Sequence, residues 1–190
     1  MHMNPLYILL GIVVLAVFWL IAAYNSFIRL RQRTQEAESD IEVQQKRRYD
    51  LIPNLVETVK GYAGHERGVL EKVTEARAHA MQTGGSQSKE HQQAENMLSG
   101  ALKTLFAVSE NYPQLKANEN FLHLQQELTD TEDKIQAARR FHNSVVMELN
   151  TKVESFPSNI VAGWFGFAKK EFFDLDAVEP QAKEVVKVKF

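Results

Sequence analysis

Six histidines, 24 acidic residues and no cysteine make up the reactive side chains of this sequence, and their spacing decides what chemistry they can support. His65-Glu66 opens like the zinc-protease signature H-E-x-x-H, where two histidines one helical turn apart hold the metal and the glutamate is the base. The second histidine would fall where Val69 stands. A di-iron bundle needs paired Glu-x-x-His motifs, whereas Glu75 and His79, and Glu119 and His123, stand four apart. Without cysteine there is no disulfide, thiolate ligand or thiol nucleophile. The glycine-containing stretch TGGSQS, Thr83 to Ser88, lacks the lysine and the preceding strand of a phosphate loop. These patterns predict no metal, no cofactor, no small-molecule substrate and no enzymatic activity.

What does stand out is polar character at core angles. At 100° per residue, Glu66 and Arg77 fall within about 40° of Ile52, and Arg139 and His142 within about 40° of Ile135. Charged side chains are rarely buried unless paired. Glu66, Arg77, Arg139 and His142 are therefore the expected members of a polar core network, the alternative being charges at a stripe's edge that stretch into water. Such a network fixes helix register more often than it performs chemistry. Asn143 and Asn150 share one flank and are expected to pair across helices.

The first 28 residues carry no Asp, Glu, Lys or Arg. Within them LYILLGIVVLAVFWLIAAY, Leu6 to Tyr24, is an apolar run of 19 residues, close to the ~20 that cross a bilayer as a helix. Trp19 and Tyr24 suit the interfacial belt at its far end. A cleaved leader would have a basic start, a shorter apolar region and an A-x-A site, none of which is found. Arg29, Arg31, Arg33 and then Lys46, Arg47 and Arg48 follow the run. Positive flanks stay in the cytoplasm, so the N-terminus is expected outside and the remainder inside. A net charge of −2 gives no bulk attraction to nucleic acid.

From Arg29 to about Gln82 the apolar residues keep helical spacing, with Ile41, Ile52, Val59, Ala63, Leu70 and Val73 on one stripe. Proline inside a helix costs about 3 kcal/mol, yet the stripe passes Pro53 without a change of phase. The expectation is one helix kinked at Pro53, with Asp50 as N-cap if the chain restarts there. Asn54 lies about 160° from Ile52, facing away from the chain's own core and toward a partner, another copy foremost. A second helix is expected from about Lys89 to Glu110, and a third from an N-cap at Asn118 through Val153. Short connections make neighbours antiparallel. The tail NIVAGWFGFAKKEFF, Asn159 to Phe173, is expected to fold back on the bundle or meet a partner. VVKVKF, Val185 to Phe190, alternates like an edge strand.

The fold expected is thus all-α: a transmembrane anchor over 1–28, an antiparallel cytoplasmic bundle of long helices over 29–158, and an aromatic–basic tail over 159–190. RRYDLIPNLVETVKGYAGHE, YPQLKANENFLHLQQELTDTEDKIQAARRFHN and FPSNIVAGWFGF occur in that order, and together they resemble the LemA family of bacterial membrane proteins. The resemblance implies an N-terminal membrane helix in the bacterial inner membrane, a cytoplasmic helical bundle and no established enzymatic activity. By similarity its signature residues are Arg48, Asp50, Pro53, Asn54, Glu66, Tyr112, Pro113, Arg139, Asn143, Phe156 and Pro157. The family often has an aromatic residue where this chain has His142, and a tyrosine where it has Leu149. Arg48, Asp50, Pro53 and Asn54 are taken as the partner or self-assembly contact. The function expected is a membrane-anchored scaffold contacting the lipid bilayer, copies of itself or other membrane proteins. The alternatives are a lipid-binding or membrane-remodelling protein using the tail, and a hydrolase or metal enzyme with an unfamiliar site.

Overall fold

The computed structural model describes residues 5–83 and 88–173; the edge strand expected at Val185 to Phe190 lies outside them. The described residues are helical, without a strand. The elements are α1 (Pro5–Lys60), α2 (Arg67–Gln82), α3 (Lys89–Ser109), the single turn α4 (Pro113–Lys116), α5 (Glu119–Glu154) and α6 (Ser158–Phe165). Local chemistry sets the ends. The Ser88 hydroxyl accepts from the His91 N–H at 3.1 Å at the start of α3, and Asn118 Oδ1 accepts from the Phe121 N–H at 2.9 Å at the start of α5. Pro113 opens α4, where a missing N–H costs nothing. Gly166 closes α6 at φ 70°, a left-handed conformation that glycine adopts without strain.

Two expectations about α1 part company. The helix does run unbroken through Pro53 for 56 residues. It does not reach Gln82, because a turn at Gly61–Glu66 separates it from α2. There the N–H groups of Tyr62 and Ala63 both donate to the Val59 carbonyl, and Glu66 N–H donates to Ala63. Gly61 and Gly64 lie in this turn and disfavour continued helix. The stripe kept its phase because α1 and α2 face one core from different sides, so phase there reports burial and not continuity.

The chain forms two compact units. One draws on Glu38–Arg140. Its core joins Ile52, Leu55 and Val59 of α1, Leu70 and Val73 of α2, Leu98, Leu102 and Leu105 of α3, Leu115, and Phe121 and Leu128 of α5. Each such aliphatic side chain contributes about 1.5–3 kcal/mol on leaving water. α2 and α3 pack together as an antiparallel hairpin. The other unit draws on α1 up to Ala37 and on Phe141–Phe172. Its core joins Ala23, Phe27 and Leu30 to Leu149, Val161 and Ala162, with Val153 and Phe167 against them. Its Pro5–Tyr24 portion is long and apolar enough to cross a membrane and almost wholly exposed.

Candidate functional site

A charge cluster lies in the core of the first unit. Arg48 is 1% exposed. Its guanidinium bridges two carboxylates on two different helices, Glu95 of α3 and Glu132 of α5, and donates to the Ser99 hydroxyl at 2.8 Å. Tyr49 donates its hydroxyl to Glu95, and Gln136 donates to Glu132 at 3.1 Å. Arg139 is buried beside them. Burial and the Glu95 carboxylate push the Tyr49 phenol well above its ordinary range. Burial raises the Glu132 carboxyl, but the charges of Arg48 and Arg139 and the Gln136 bond outweigh it and leave the group below its usual value. Burial and the neighbouring Arg48 charge lower Arg139. Two cations face two carboxylates, so the cluster is balanced; its chemistry is to hold α1, α3 and α5 in one register.

Arg48 was expected at a partner contact, and that assignment is corrected: it is the centre of the core cluster. Its position four residues before Ile52 places it on the buried stripe. Glu95 and Glu132 precede Leu98 and Ile135 by three residues, and the same spacing marks them in the sequence. Of the expected network of Glu66, Arg77, Arg139 and His142, Arg139 and His142 are buried. Glu66 is half-buried in the α1–α2 turn, where it accepts from the Tyr112 hydroxyl at 2.9 Å. α1 ends at Lys60, so helical phase counted from Ile52 does not reach Glu66. His142 is fully buried and belongs to the second unit. Asn150 bonds to the tail: its amide donates to the Lys170 carbonyl and its Oδ1 accepts from the Lys170 N–H, both at 2.9 Å.

Arg77 has a separate task. Pro53 lacks the N–H that would reach the carbonyl of Tyr49, four residues earlier. Arg77 Nε donates to that carbonyl at 2.8 Å. A side chain of α2 thus supplies the bond that the proline removes from α1, and α1 continues. Asp50, Pro53 and Asn54 are all exposed. Beside them a groove between α1 and α2 is lined by Ile52, Val56, Glu57, Lys60, Thr74 and Arg77.

The second unit carries an aromatic cluster where the apolar run ends. The Tyr24 ring lies 4.8 Å from that of Phe165 and 5.8 Å from that of Phe167, which stacks on Phe27 at 4.7 Å. Leu6 and Trp19 are exposed along the run and Tyr24 is half-buried. The described residues hold no group of three or more metal-ligating side chains arranged to bind an ion.

These features define a class: helical-bundle proteins whose first helix begins as a candidate membrane span and ends in the bundle core. The chain belongs to the LemA family, whose model matches residues 37–190. It is similar to magnetosome protein MamQ 2 of Paramagnetospirillum magneticum, at 26% identity over 90% of this chain and 73% of the relative. It is also similar to magnetosome protein MamQ of Magnetospirillum gryphiswaldense, at 24% identity over 91% and 74%. Protein LemA of Metamycoplasma hominis is 27% identical over 91% of this chain and 80% of the relative.

Proposed function

We propose that this chain is a membrane-anchored scaffold whose bundle offers a docking face to protein partners, a second copy of itself foremost. The observation that carries this reading is the exposed strip Asp50, Pro53 and Asn54 beside the α1–α2 groove. The groove has an apolar floor at Ile52 and Val56, with Glu57, Lys60, Arg67 and Glu71 around it and its neighbouring extension. Charges of both signs around an apolar floor suit a self-complementary contact, in which each copy presents the same patch. None of the three relatives is named for a reaction, in keeping with a binding role. The setting proposed is the bacterial inner membrane, with the bundle in the cytoplasm.

A photo-activated crosslinking residue at Asn54 of the full chain in living cells tests the reading. The expected product is a discrete higher-mass species that mass spectrometry maps to the α1–α2 groove of a second copy. Crosslinks confined to the chain's own residues, with a strictly monomeric species in detergent, would overturn it.

A further inference from the structure

The second unit carries a feature at a depth that the apolar run itself measures. From Leu6 to Tyr24 a helix rises about 28 Å at 1.5 Å per residue, against a hydrocarbon core of about 30 Å. Tyr24 therefore stands at the hydrocarbon boundary. Through its contact with Phe165 the end of α6 stands at the same depth. α6 has no charged residue, and it buries only Val161 and Ala162. Ile160, Trp164 and Phe165 remain 44%, 71% and 50% exposed. An apolar surface of this kind at the edge of a span is suited to acyl chains.

One to two turns further along α1, the surface changes sign. Arg29 is five residues past Tyr24, about 7.5 Å along the helix and within the headgroup layer. Ser26, Arg29, Leu30, Arg33, Glu148 and Lys152 line one cleft there. Glu148 is taken by Arg33 at 3.4 Å. Among the described residues Arg29 and Lys152 have no carboxylate partner. Lys152 is bonded instead to the Ser26 hydroxyl and sits 5.4 Å over the Phe27 ring. Burial and the Arg29 charge lower its pKa, so each cation is a cost to the other. The Ser158 hydroxyl, at the start of α6, donates to the Lys152 carbonyl at 2.7 Å and ties the cleft to the apolar surface.

We propose that this region is a binding site for an anionic phospholipid, whose phosphate lies between Arg29 and Lys152 with the Ser26 hydroxyl and whose acyl chains lie on Ile160, Trp164 and Phe165. Apolar contact and cationic cleft follow one another in the order in which a phospholipid presents chain and phosphate. A free phosphate would use only the cleft, and a second copy would have to supply both surfaces at the same depth. The site rests on the reading of Leu6 to Tyr24 as a span and is independent of the docking face at Asn54.

The test uses the full chain. With Trp19→Phe, Trp164 is the remaining tryptophan of the two and reports from the face of α6. In nanodiscs of phosphatidylcholine and phosphatidylglycerol brominated high in their acyl chains, its emission should be quenched by the lipid and protected from aqueous iodide. Iodide quenching without lipid quenching would overturn the apolar half of the site. In native mass spectrometry from detergent, phosphatidylglycerol should be retained over phosphatidylcholine. Arg29→Gln and Lys152→Gln should each lower retention about fivefold, with Lys152→Arg restoring it. Equal retention of both lipids, or full displacement of phosphatidylglycerol by inorganic phosphate, would overturn the headgroup half. Arg29 is exposed, so its variant remains informative if Lys152→Gln does not fold. Release of the wild-type chain from membranes by alkaline carbonate would remove the span and the lipid site together, whereas an integrated chain with Trp164 in water removes the lipid site alone.

Discussion

Arg48 shows how a residue's neighbours decide its meaning. A guanidinium buried among helices is tolerable only where its donors meet acceptors, and here two carboxylates and a hydroxyl meet it. Truncating it would leave Glu95, itself fully buried, without its cation. Arg48→Met is expected to lower the unfolding free energy by about 3–5 kcal/mol, read from chemical denaturation of the full chain in detergent. Adding Glu95→Gln should recover part of that loss, since the stranded charge is removed with its partner. The same cluster sets an acid limit. Glu132 ionises more readily in the folded chain than at its ordinary value of 4.5, so the folded state binds fewer protons than the unfolded one. Its contribution is present above that value and is lost as pH falls through the lower folded pKa. A wild-type melting temperature that did not fall in acid more steeply than that of Arg48→Met would contradict this account. The sequence shows all three positions at core spacing. Spacing, however, reports only direction; which charges meet depends on how α1, α3 and α5 lie against one another.

At the scale of elements, the cap at Asn118 was legible and the corner was not. Asn118 is a small polar side chain placed just before an apolar stripe, and it makes the backbone bond that this position predicts. Pro53 was legible as a continuation because α1 keeps its phase through it. The turn at Gly61–Glu66 was hidden by the same regularity, since Val59 and Leu70 serve one core from both sides of the break. Nothing in the local sequence shows that Arg77 completes the helix at Pro53, because that bond spans 28 residues. It is nevertheless testable as a coupling. Arg77→Met leaves the Tyr49 carbonyl without its donor and should cost about 1–3 kcal/mol. Pro53→Ala restores the N–H inside α1 and should make that second cost small. Additive losses in the double variant, measured by denaturation in a four-member cycle, would show that Arg77 and Pro53 act separately.

At the scale of the whole molecule, the run from Leu6 to Tyr24 is the plainest signal in the sequence, because nineteen apolar residues without a charge need no tertiary context to be read. The side of the membrane proposed for the bundle rests on a different quantity, the distribution of Lys and Arg. None precedes Arg29, and Arg29, Arg31 and Arg33 follow within ten residues of Tyr24. Such a flank holds its end of a span in the cytoplasm. The absence of native cysteine makes this measurable, since any introduced thiol is the sole one. In intact spheroplasts of a Gram-negative host, an impermeant maleimide should label His2→Cys at once, and should label Asp50→Cys only after the membrane is opened. Asp50 is exposed, so its substitution leaves the core in place. The reverse labelling pattern would place the bundle outside, and neither the proposed cytoplasmic partners nor an inner-leaflet lipid could then be reached. Replacing Arg29, Arg31 and Arg33 together with glutamine should weaken the asymmetry and yield a mixed labelling pattern, because it removes the charges that decide orientation while leaving the apolar run intact.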